Sequence, residues 1–279
     1  MSELIDVTGR LRKMPVQAGA PVSYELAVGD SRIPLNEFLG KRVHIDFDGV
    51  IRCINCDRTT KKSFNQGYCF PCFRKLAACD SCIMSPEKCH YHLGTCREPE
   101  WGETHCMVEH VVYLANSSGL KVGITRGTQV PTRWIDQGAV DAIPMARVAT
   151  RYLAGLVEVA CKAHVADRTN WRAMLKGDVP ELNLVDERQR ILELVADDLA
   201  ALRDTHGPDS IRAVDESGLA LSYPVSVWPE KIKNHNLDKN PEVDGVLEGI
   251  KGQYLILDTG VINIRKFTGY EVRFQVLDD

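Results

Sequence analysis

The chain has 279 residues, of which 44% are hydrophobic and 26% charged, and its 34 basic and 38 acidic residues give a formal net charge of −4. This composition is typical of a globular protein and excludes a low-complexity or polycationic chain. No apolar run approaches the roughly 20 residues that span a bilayer, and the opening MSELIDVTGRLRKM lacks the apolar segment of a signal peptide. We therefore expect a cytoplasmic protein without a membrane partner.

Residues 1–110 contain two different kinds of sequence. Short extended stretches separated by Gly and Pro predict a small N-terminal β segment over residues 1–50. Residues 51–110 have many cysteines and few long aliphatic side chains, so this segment needs a metal or disulfide to hold a core.

The rest of the chain alternates between strand and helix patterns. A strand–turn–strand pattern opens residues 111–180, helical spacing of apolar residues covers 147–166, and a second amphipathic helix is predicted over 186–205 within a segment 181–210. Glycine-punctuated β runs predict a meander over residues 211–279. The predicted fold class is α+β, and the two terminal β segments are candidates for one small barrel, because chain termini often lie close together.

Nine of the ten cysteines lie between Cys53 and Cys106, and in a reducing compartment this clustering indicates metal rather than disulfides. The first four form two CxxC pairs twelve residues apart. Each pair places two thiolates on one tight turn, and two such knuckles supply the tetrahedral sulfur set that Zn²⁺ prefers. We predict a structural zinc site ligated by Cys53, Cys56, Cys69 and Cys72.

A second set of potential ligands follows directly. The simplest second zinc site uses Cys79, Cys82, Cys89 and Cys96. The choice among the later ligands stays open, because His90, His92 or Cys106 can replace either of the last two cysteines. The cysteine-rich segment also carries an excess of basic residues and four aromatic residues, Phe64, Tyr68, Phe70 and Phe73, which suit either base stacking or packing of a small zinc domain.

Residues 111–134, VVYLANSSGLKVGITRGTQVPTRW, predict a β-hairpin that leads into a helix. The order of VVY, KVG and a following arginine resembles the GIY-YIG nuclease superfamily. The resemblance covers about residues 108–175 and implies an α/β domain with a short antiparallel sheet and flanking helices. It departs from the superfamily at Lys121, which stands where a second tyrosine is usual.

The resemblance implies a site built from Tyr113, Lys121, Arg133, Glu158 and Asn170. In this family's chemistry the tyrosine activates water, the arginine steadies charge on a phosphate, and the glutamate holds one Mg²⁺ or Mn²⁺. Glu158 lies off the apolar stripe of its helix together with Gly155, whose low helix propensity predicts a close neighbour or ligand at that point. The alternative for Glu158 is a solvated ion pair with Lys162.

Longer strings resemble the uncharacterised bacterial family called domain of unknown function 2797. These strings span most of the chain and include KKSFNQGYCFPCF, CDSCIMSPEKCH, SSGLKVGITR, PTRWIDQGA and GIKGQYLILDTGVINIRKFTGY. The two resemblances together predict a zinc-containing protein that acts on DNA or RNA as a phosphodiesterase. The alternatives are an inactive nucleic-acid-binding module, with Lys251, Arg265, Lys266 and Arg273 adding contacts, and a zinc-stapled protein-interaction module.

Overall fold

A computed structural model of the chain describes residues 3–165 and 168–278. The chain divides into two compact units, each built from helix and sheet. Unit 1 comprises Met1–Arg74, Leu175–Asp178 and Leu221–Asp279, and unit 2 comprises Lys75–Met174 and Val179–Ala220. The finer division into five segments remains a prediction.

The described residues contain fifteen strands. In chain order they are β1 (Glu3–Arg10), β2 (Val16–Gln17), β3 (Ser23–Val28), β4 (Ser31–Pro34), β5 (Arg42–Arg52), β6 (Thr59–Thr60), β7 (His110–Asn116), β8 (Leu120–Arg126), β9 (Asp141–Val148), β10 (Ile211–Ala213), β11 (Leu219–Ala220), β12 (Glu242–Lys251), β13 (Tyr254–Leu257), β14 (Gly260–Asn263) and β15 (Tyr270–Leu277).

The same residues contain eight α-helices and several single 3₁₀ turns. The helices are α1 (Phe70–Lys75), α2 (Ser81–Met84), α3 (Pro99–His105), α4 (Thr132–Asp136), α5 (Arg151–Lys162), α6 (Trp171–Lys176), α7 (Leu184–Leu194) and α8 (Ala196–His206). No helix in the described part of the chain is long and apolar enough to cross a membrane.

Unit 1 is organised around an antiparallel sheet in the order β1-β15-β5-β12-β13-β14, with β6 paired to β5 and a separate small sheet β2-β3-β4. β15 alternates buried and more exposed residues, and its buried Phe274 lies opposite Val7 of β1 and Ile45 of β5. The N- and C-terminal strands therefore pair directly, as the sequence led us to expect. Closure of these strands into a barrel remains a prediction.

Unit 2 contains an antiparallel sheet in the order β10-β9-β7-β8, with β11 also paired to β9. The predicted hairpin is confirmed as β7 and β8, which pair in register from His110 opposite Arg126 to Asn116 opposite Leu120. β7 is an inner strand and all seven of its residues are buried, because β8 and β9 flank it and its faces are covered.

Helices α5, α7 and α8 contribute to one apolar core with this sheet. Its buried residues include Val112, Leu114, Val122, Leu153, Val157, Ile191 and Leu199. α5 begins where the Thr150 side chain accepts a hydrogen bond from the backbone N–H of Leu153. The predicted helix over 186–205 is two helices, because Val195 leaves helical geometry between α7 and α8 while its side chain stays fully buried.

Candidate functional site

The first two cysteines of the chain lie on the β5–β6 hairpin of unit 1. Ile51 and Arg52 at the end of β5 pair with Thr60 and Thr59 of β6, and the backbone N–H of Cys53 donates to the Arg58 carbonyl at 3.0 Å. Cys53 and Cys56 therefore project from one tight turn, with Cys53 fully buried. This local geometry is the knuckle that the CxxC spacing predicts.

The second pair of cysteines lies at the start of α1. Cys69 immediately precedes the helix and Cys72 lies within it. Gly67, two residues earlier, has φ of +128°, and its carbonyl accepts the backbone N–H of Ile54 from the first knuckle at 2.9 Å. A Cβ at Gly67 would lie 2.8 Å from the Ile54 side chain. Glycine at this position therefore lets the two knuckles approach each other.

The four sulfurs of Cys53, Cys56, Cys69 and Cys72 all lie within 4.8 Å of one another, and the Cys56 and Cys69 sulfurs are 3.7 Å apart. Four thiolates at about 2.3 Å from a tetrahedral Zn²⁺ are separated by about 3.8 Å, so this donor set fits zinc. Burial raises the pKa of the Cys53 thiol, but backbone hydrogen bonds from Cys69, Cys56 and Asn55 outweigh it and lower that pKa to about 6, whereas burial and the neighbouring thiols raise the pKa of Cys72 to about 12. The cluster could therefore hold a zinc ion.

The aromatic residues of this segment pack against each other beside the knuckles. The Phe64 ring lies 5.4 Å from that of Phe70 and 5.6 Å from that of Phe73, centroid to centroid. Phe70 is half exposed and Phe64 is partly buried. These contacts favour packing of a small zinc domain over base stacking as the role of the three phenylalanines.

The second set of cysteines lies in unit 2 and is arranged differently. Asp80, Cys82 and His90 have ligand atoms within 4.8 Å of one another, and no tetrathiolate of that compactness occurs here among the described residues. Cys89, Cys96 and Cys106 lie close enough for their charges to act on the Cys82 thiol. The set predicted from the sequence, Cys79, Cys82, Cys89 and Cys96, remains a prediction, and Asp80 is a potential ligand that the spacing did not reveal.

Tyr113 and Gly123 face each other across the β7–β8 ladder. The tyrosine is fully buried, and a Cβ at Gly123 would lie 2.7 Å from its hydroxyl oxygen. The missing side chain at Gly123 therefore makes room for the Tyr113 ring. The sequence had suggested a different use, the close approach of a phosphate to the backbone.

A polar cluster surrounds the Tyr113 hydroxyl. The Gln137 amide donates to this hydroxyl at 2.5 Å, and the amide oxygen of Gln137 accepts a hydrogen bond from Lys121. Lys121 is almost fully buried and also donates to the Thr169 hydroxyl at 2.8 Å. Lys121 thus links Gln137 to Thr169, which lies in the segment before α6.

Arg133 and Glu158 lie close enough to Tyr113 to act on it electrostatically. Burial raises the pKa of the tyrosine and is the largest influence, the Arg133 charge and hydrogen bond lower it, and the Glu158 charge raises it further. Arg133 comes from α4 and Glu158 from α5, so two helices bring these side chains to the same strand. The side chain of Glu158 is 13% exposed and pairs with Lys162 at 3.4 Å.

The neighbour predicted for Gly155 is present. A Cβ at this position of α5 would lie 2.5 Å from the Glu87 backbone nitrogen and 2.7 Å from Pro86. One turn earlier, the Arg151 guanidinium donates to the Ile83 carbonyl at 2.7 Å. The first half of α5 is therefore docked on the loop that carries the second set of cysteines, and this contact fixes the helix on which Glu158 lies.

Asn170 has a structural role at the start of α6. Its side-chain oxygen accepts the Ala173 N–H at 3.3 Å, and its own N–H donates to the Ser118 hydroxyl in the hairpin turn at 2.9 Å. It is adjacent to Thr169, which contacts Lys121.

Two members of the polar cluster, Gln137 and Thr169, were not predicted from the sequence. Gln137 lies four residues after Arg133 at the end of α4, a spacing that puts both on one helix face. That spacing was an available signal. Thr169 had none, because only the folded chain brings it to Lys121.

Lys251, one of the basic residues expected to add surface contacts, is buried. Its ammonium group lies 5.2 Å from the Tyr223 ring and 5.1 Å from the Trp228 ring, and burial lowers its pKa to about 8. Arg273 donates to Asp6 at 2.8 Å, whereas Lys266 is exposed. Of these three, Lys266 is the exposed one, and its ammonium group lies 5.0 Å from the Phe267 ring.

Comparison with known proteins gives one match. Neither the curated proteins nor the solved structures contain a match to this chain. A family model described as Protein of unknown function (DUF2797) matches residues 40–272, which is most of the chain and includes both cysteine regions, the hairpin and α5. The chain therefore belongs to this DUF2797 family.

Proposed function

We propose that this protein is a zinc-containing phosphodiesterase that acts on DNA or RNA through the polar cluster around Tyr113. The observation that carries the proposal is the meeting of Tyr113, Lys121, Arg133 and Glu158, which lie on four different elements and are the residues that the GIY-YIG resemblance implies. A buried tyrosine core with an arginine and a carboxylate at its edge is the constellation that the GIY-YIG resemblance implies.

Each side chain has a role that its surroundings support. The Tyr113 hydroxyl, held by Gln137, would accept a hydrogen bond from the attacking water and orient it, and Arg133 beside it would stabilise the charge that develops on the phosphate. Lys121 would hold the Gln137 side chain in place by donating a hydrogen bond to its amide oxygen. Asn170 supports the hairpin turn through Ser118.

Glu158 is the residue that would hold Mg²⁺ or Mn²⁺. Its carboxylate is partly exposed, pairs with Lys162 and lies close enough to Arg151 to act on its charge, and Mg²⁺ in phosphate chemistry is often bound by one or two carboxylates together with substrate oxygens. The donor set therefore fits such an ion. When bound there, the ion would stabilise the leaving oxygen.

The second candidate function is nucleic-acid binding without hydrolysis. Two observations favour it: Tyr113 has no exposed surface, and burial raises rather than lowers its pKa, which leaves the hydroxyl protonated at neutral pH. Unit 1 also has a cleft of about 940 Å³ beside the knuckles, lined by three lysines, Lys61, Lys62 and Lys266, by two carboxylates, Asp48 and Asp238, and by the partly exposed ring of Phe47. Cationic side chains with an aromatic ring are the elements of a single-strand binding groove.

One assay separates the two candidates. Labelled single- and double-stranded DNA and RNA are incubated with zinc-loaded protein and Mg²⁺ or Mn²⁺, and both binding and cleavage are measured for wild type and Arg133→Ala. The phosphodiesterase proposal expects cleavage that falls at least about 100-fold in the variant, because a lost transition-state contact costs that much. Binding with no cleavage by either protein would establish the second candidate, and neither binding nor cleavage would exclude both.

A further inference from the structure

Three potential metal ligands of different chemistry meet around α2 in unit 2: Asp80 precedes the helix, Cys82 lies within it and His90 follows it. The Asp80 carboxylate, the Cys82 thiol and the His90 imidazole lie with their ligand atoms within 4.8 Å of one another. This group is separate from the tetrathiolate cluster, which belongs to unit 1. It combines oxygen, sulfur and nitrogen donors, all of which Zn²⁺ accepts.

The histidine ring is oriented towards this group. Its Nδ1 lies 2.8 Å from the Thr95 hydroxyl, which leaves Nε2 to face the Asp80 carboxylate at 3.5 Å. Histidines that bind metals are usually oriented in this way, because a hydrogen bond at one ring nitrogen fixes the direction of the other. The His90 side chain is 28% exposed, so an ion can reach it from solvent.

The Asp80 carboxylate is also held in place by hydrogen bonds. Asp80 is 8% exposed, accepts a hydrogen bond from the Arg97 guanidinium at 2.7 Å and another from the Ser81 hydroxyl at 3.2 Å. An ionised carboxylate has lone pairs beyond those two bonds. Arg97 and Ser81 would therefore act as supports for a ligating carboxylate rather than as competitors for it.

We propose that Asp80, Cys82 and His90 form a second zinc centre, with three protein ligands and a fourth position filled by water. With a thiolate, a carboxylate and a neutral imidazole, the bound centre has no net charge, whereas a tetrathiolate carries −2. The proposal replaces the sequence-predicted set Cys79, Cys82, Cys89 and Cys96 by a mixed set that shares only Cys82 with it. It does not depend on the proposed function, since metal binding here requires no nucleic acid.

The position of this centre gives it a consequence for unit 2. Ile83, next to Cys82, accepts a hydrogen bond from Arg151, and Glu87 and Pro86, a few residues before His90, lie against Gly155. A metal that closes the loop between Cys82 and His90 would therefore fix the surface on which α5 is docked. The centre would act on Glu158 only through the position of α5.

The test is the zinc content of the full chain, measured by elemental analysis after zinc loading and removal of free metal. Wild type is expected to hold two zinc ions, and His90→Ala and Asp80→Asn to hold one. His92→Ala is the matched control, because His92 is an exposed neighbour in the same turn, its ring lies 5.8 Å from that of Tyr152, and it belongs to no compact ligand group among the described residues. Cys89→Ser and Cys96→Ser are also expected to keep two ions.

Two results would overturn the proposal. The first is His90→Ala with undiminished zinc content, which is what a plain Arg97–Asp80–His90 hydrogen-bonded network predicts. The second is loss of one ion from Cys89→Ser and Cys96→Ser but not from His90→Ala, which would establish the tetrathiolate set.

A spectroscopic measurement on wild type covers the case in which the variants do not fold. In a titration of metal-free protein with Co²⁺, charge-transfer absorption grows with the number of thiolates bound. The proposed centre has one thiolate against four in unit 1, so filling it should add about a quarter of the intensity that the tetrathiolate site gives. Equal intensity from two Co²⁺ ions, or saturation at one ion, would contradict it.

Discussion

The cysteine knuckles of unit 1 and the polar cluster around Tyr113 in unit 2, called the hairpin cluster below, were both predicted as sites from the sequence. The chain forms these two sites in different ways. The four cysteines lie within 20 residues, on one hairpin turn and one short helix, and their sulfurs meet within 4.8 Å. Four members of the hairpin cluster, Tyr113, Lys121, Arg133 and Glu158, span 46 residues and four elements, and they meet around a tyrosine with no exposed surface.

This difference separates a site defined by local spacing from one defined by packing. Two CxxC turns bring their own ligands together, because each turn fixes two sulfurs. Tyr113, Arg133 and Glu158 meet only because β7 is an inner strand of the sheet and α5 is docked on the loop at Pro86 and Glu87. The first kind of site should fail when one ligand is removed, and the second when the packing changes.

The largest effect is expected from Cys69→Ser, which removes a buried ligand of the knuckles. Loss of a structural metal belongs to the few changes that cost more than about 4 kcal/mol, so unit 1 should unfold at much lower denaturant. Urea unfolding and zinc content measure this directly. Cys161→Ser, in the core of unit 2, should keep all its zinc, and a Cys69→Ser protein with wild-type zinc content would contradict the tetrathiolate assignment.

A pH effect is expected from His110, which is fully buried at the start of β7. Burial lowers its pKa to about 4, with the charges of Arg151 and Arg126 acting in the same direction against a hydrogen bond to the Val108 carbonyl. The unfolded histidine titrates near pH 6.5, so between about pH 6.5 and 4 the unfolded chain binds more protons. Stability should therefore fall as the pH falls through this window, by up to about 3 kcal/mol.

The measurement compares unfolding of wild type and His110→Phe from pH 7.5 to 4. The variant should lack the fall in stability that His110 causes, so the unfolding free energy of wild type minus that of the variant should decrease as the pH falls below 6.5. A constant difference across this range would show that His110 is not the titrating group.

Gly123→Ala should disturb the hairpin cluster without touching the knuckles. The new methyl group would lie 2.7 Å from the Tyr113 ring and hydroxyl, and overpacking of this kind costs about 1–3 kcal/mol. Urea unfolding of unit 2 measures the resulting decrease in unfolding free energy. The control is a double-mutant cycle with Tyr113→Ala, in which the clash disappears, and an unchanged cost in that background would contradict the contact.

The smallest effect is expected from Lys162→Ala, which breaks the ion pair with Glu158 on α5. Pairs at this spacing stabilise a helix by about 0.2–0.5 kcal/mol and are weakened by salt. The change in unfolding free energy should stay within that range at low salt and vanish at 1 M salt. A loss above about 1 kcal/mol would mean that the pair does more than stabilise the helix.

The sequence predicted what depends on short spacing. The hairpin at residues 111–125, the helix that carries Glu158 and the terminal β segments were all expected, because strand alternation, turn residues and helical periodicity are local signals. The close neighbour of Gly155 was also expected, since a glycine within an amphipathic helix has a cost that a contact explains.

The sequence could not predict what depends on tertiary packing. Lys251 looks like a surface cation in the sequence, yet it lies between Tyr223 and Trp228. The cysteine spacing did not indicate that Asp80 would meet Cys82 and His90. An acidic residue between the two cysteines of a CxxC pair is expected to be exposed on the turn, not to act as a ligand. Thr169 reaches Lys121 from 48 residues away, a distance at which pattern reasoning carries no information.

The central claim, that the cluster around Tyr113 is a phosphodiesterase site, is tested most directly by cleavage rates of Glu158→Ala and Val159→Ala. Val159 is the next residue of α5, is exposed and contributes nothing to the cluster. With zinc-loaded protein, labelled nucleic acid and Mg²⁺ or Mn²⁺, we predict cleavage by wild type and Val159→Ala at similar rates and a fall of at least about 100-fold in Glu158→Ala. Equal cleavage by the two variants, or no cleavage by wild type on any of the four substrates, would contradict the claim.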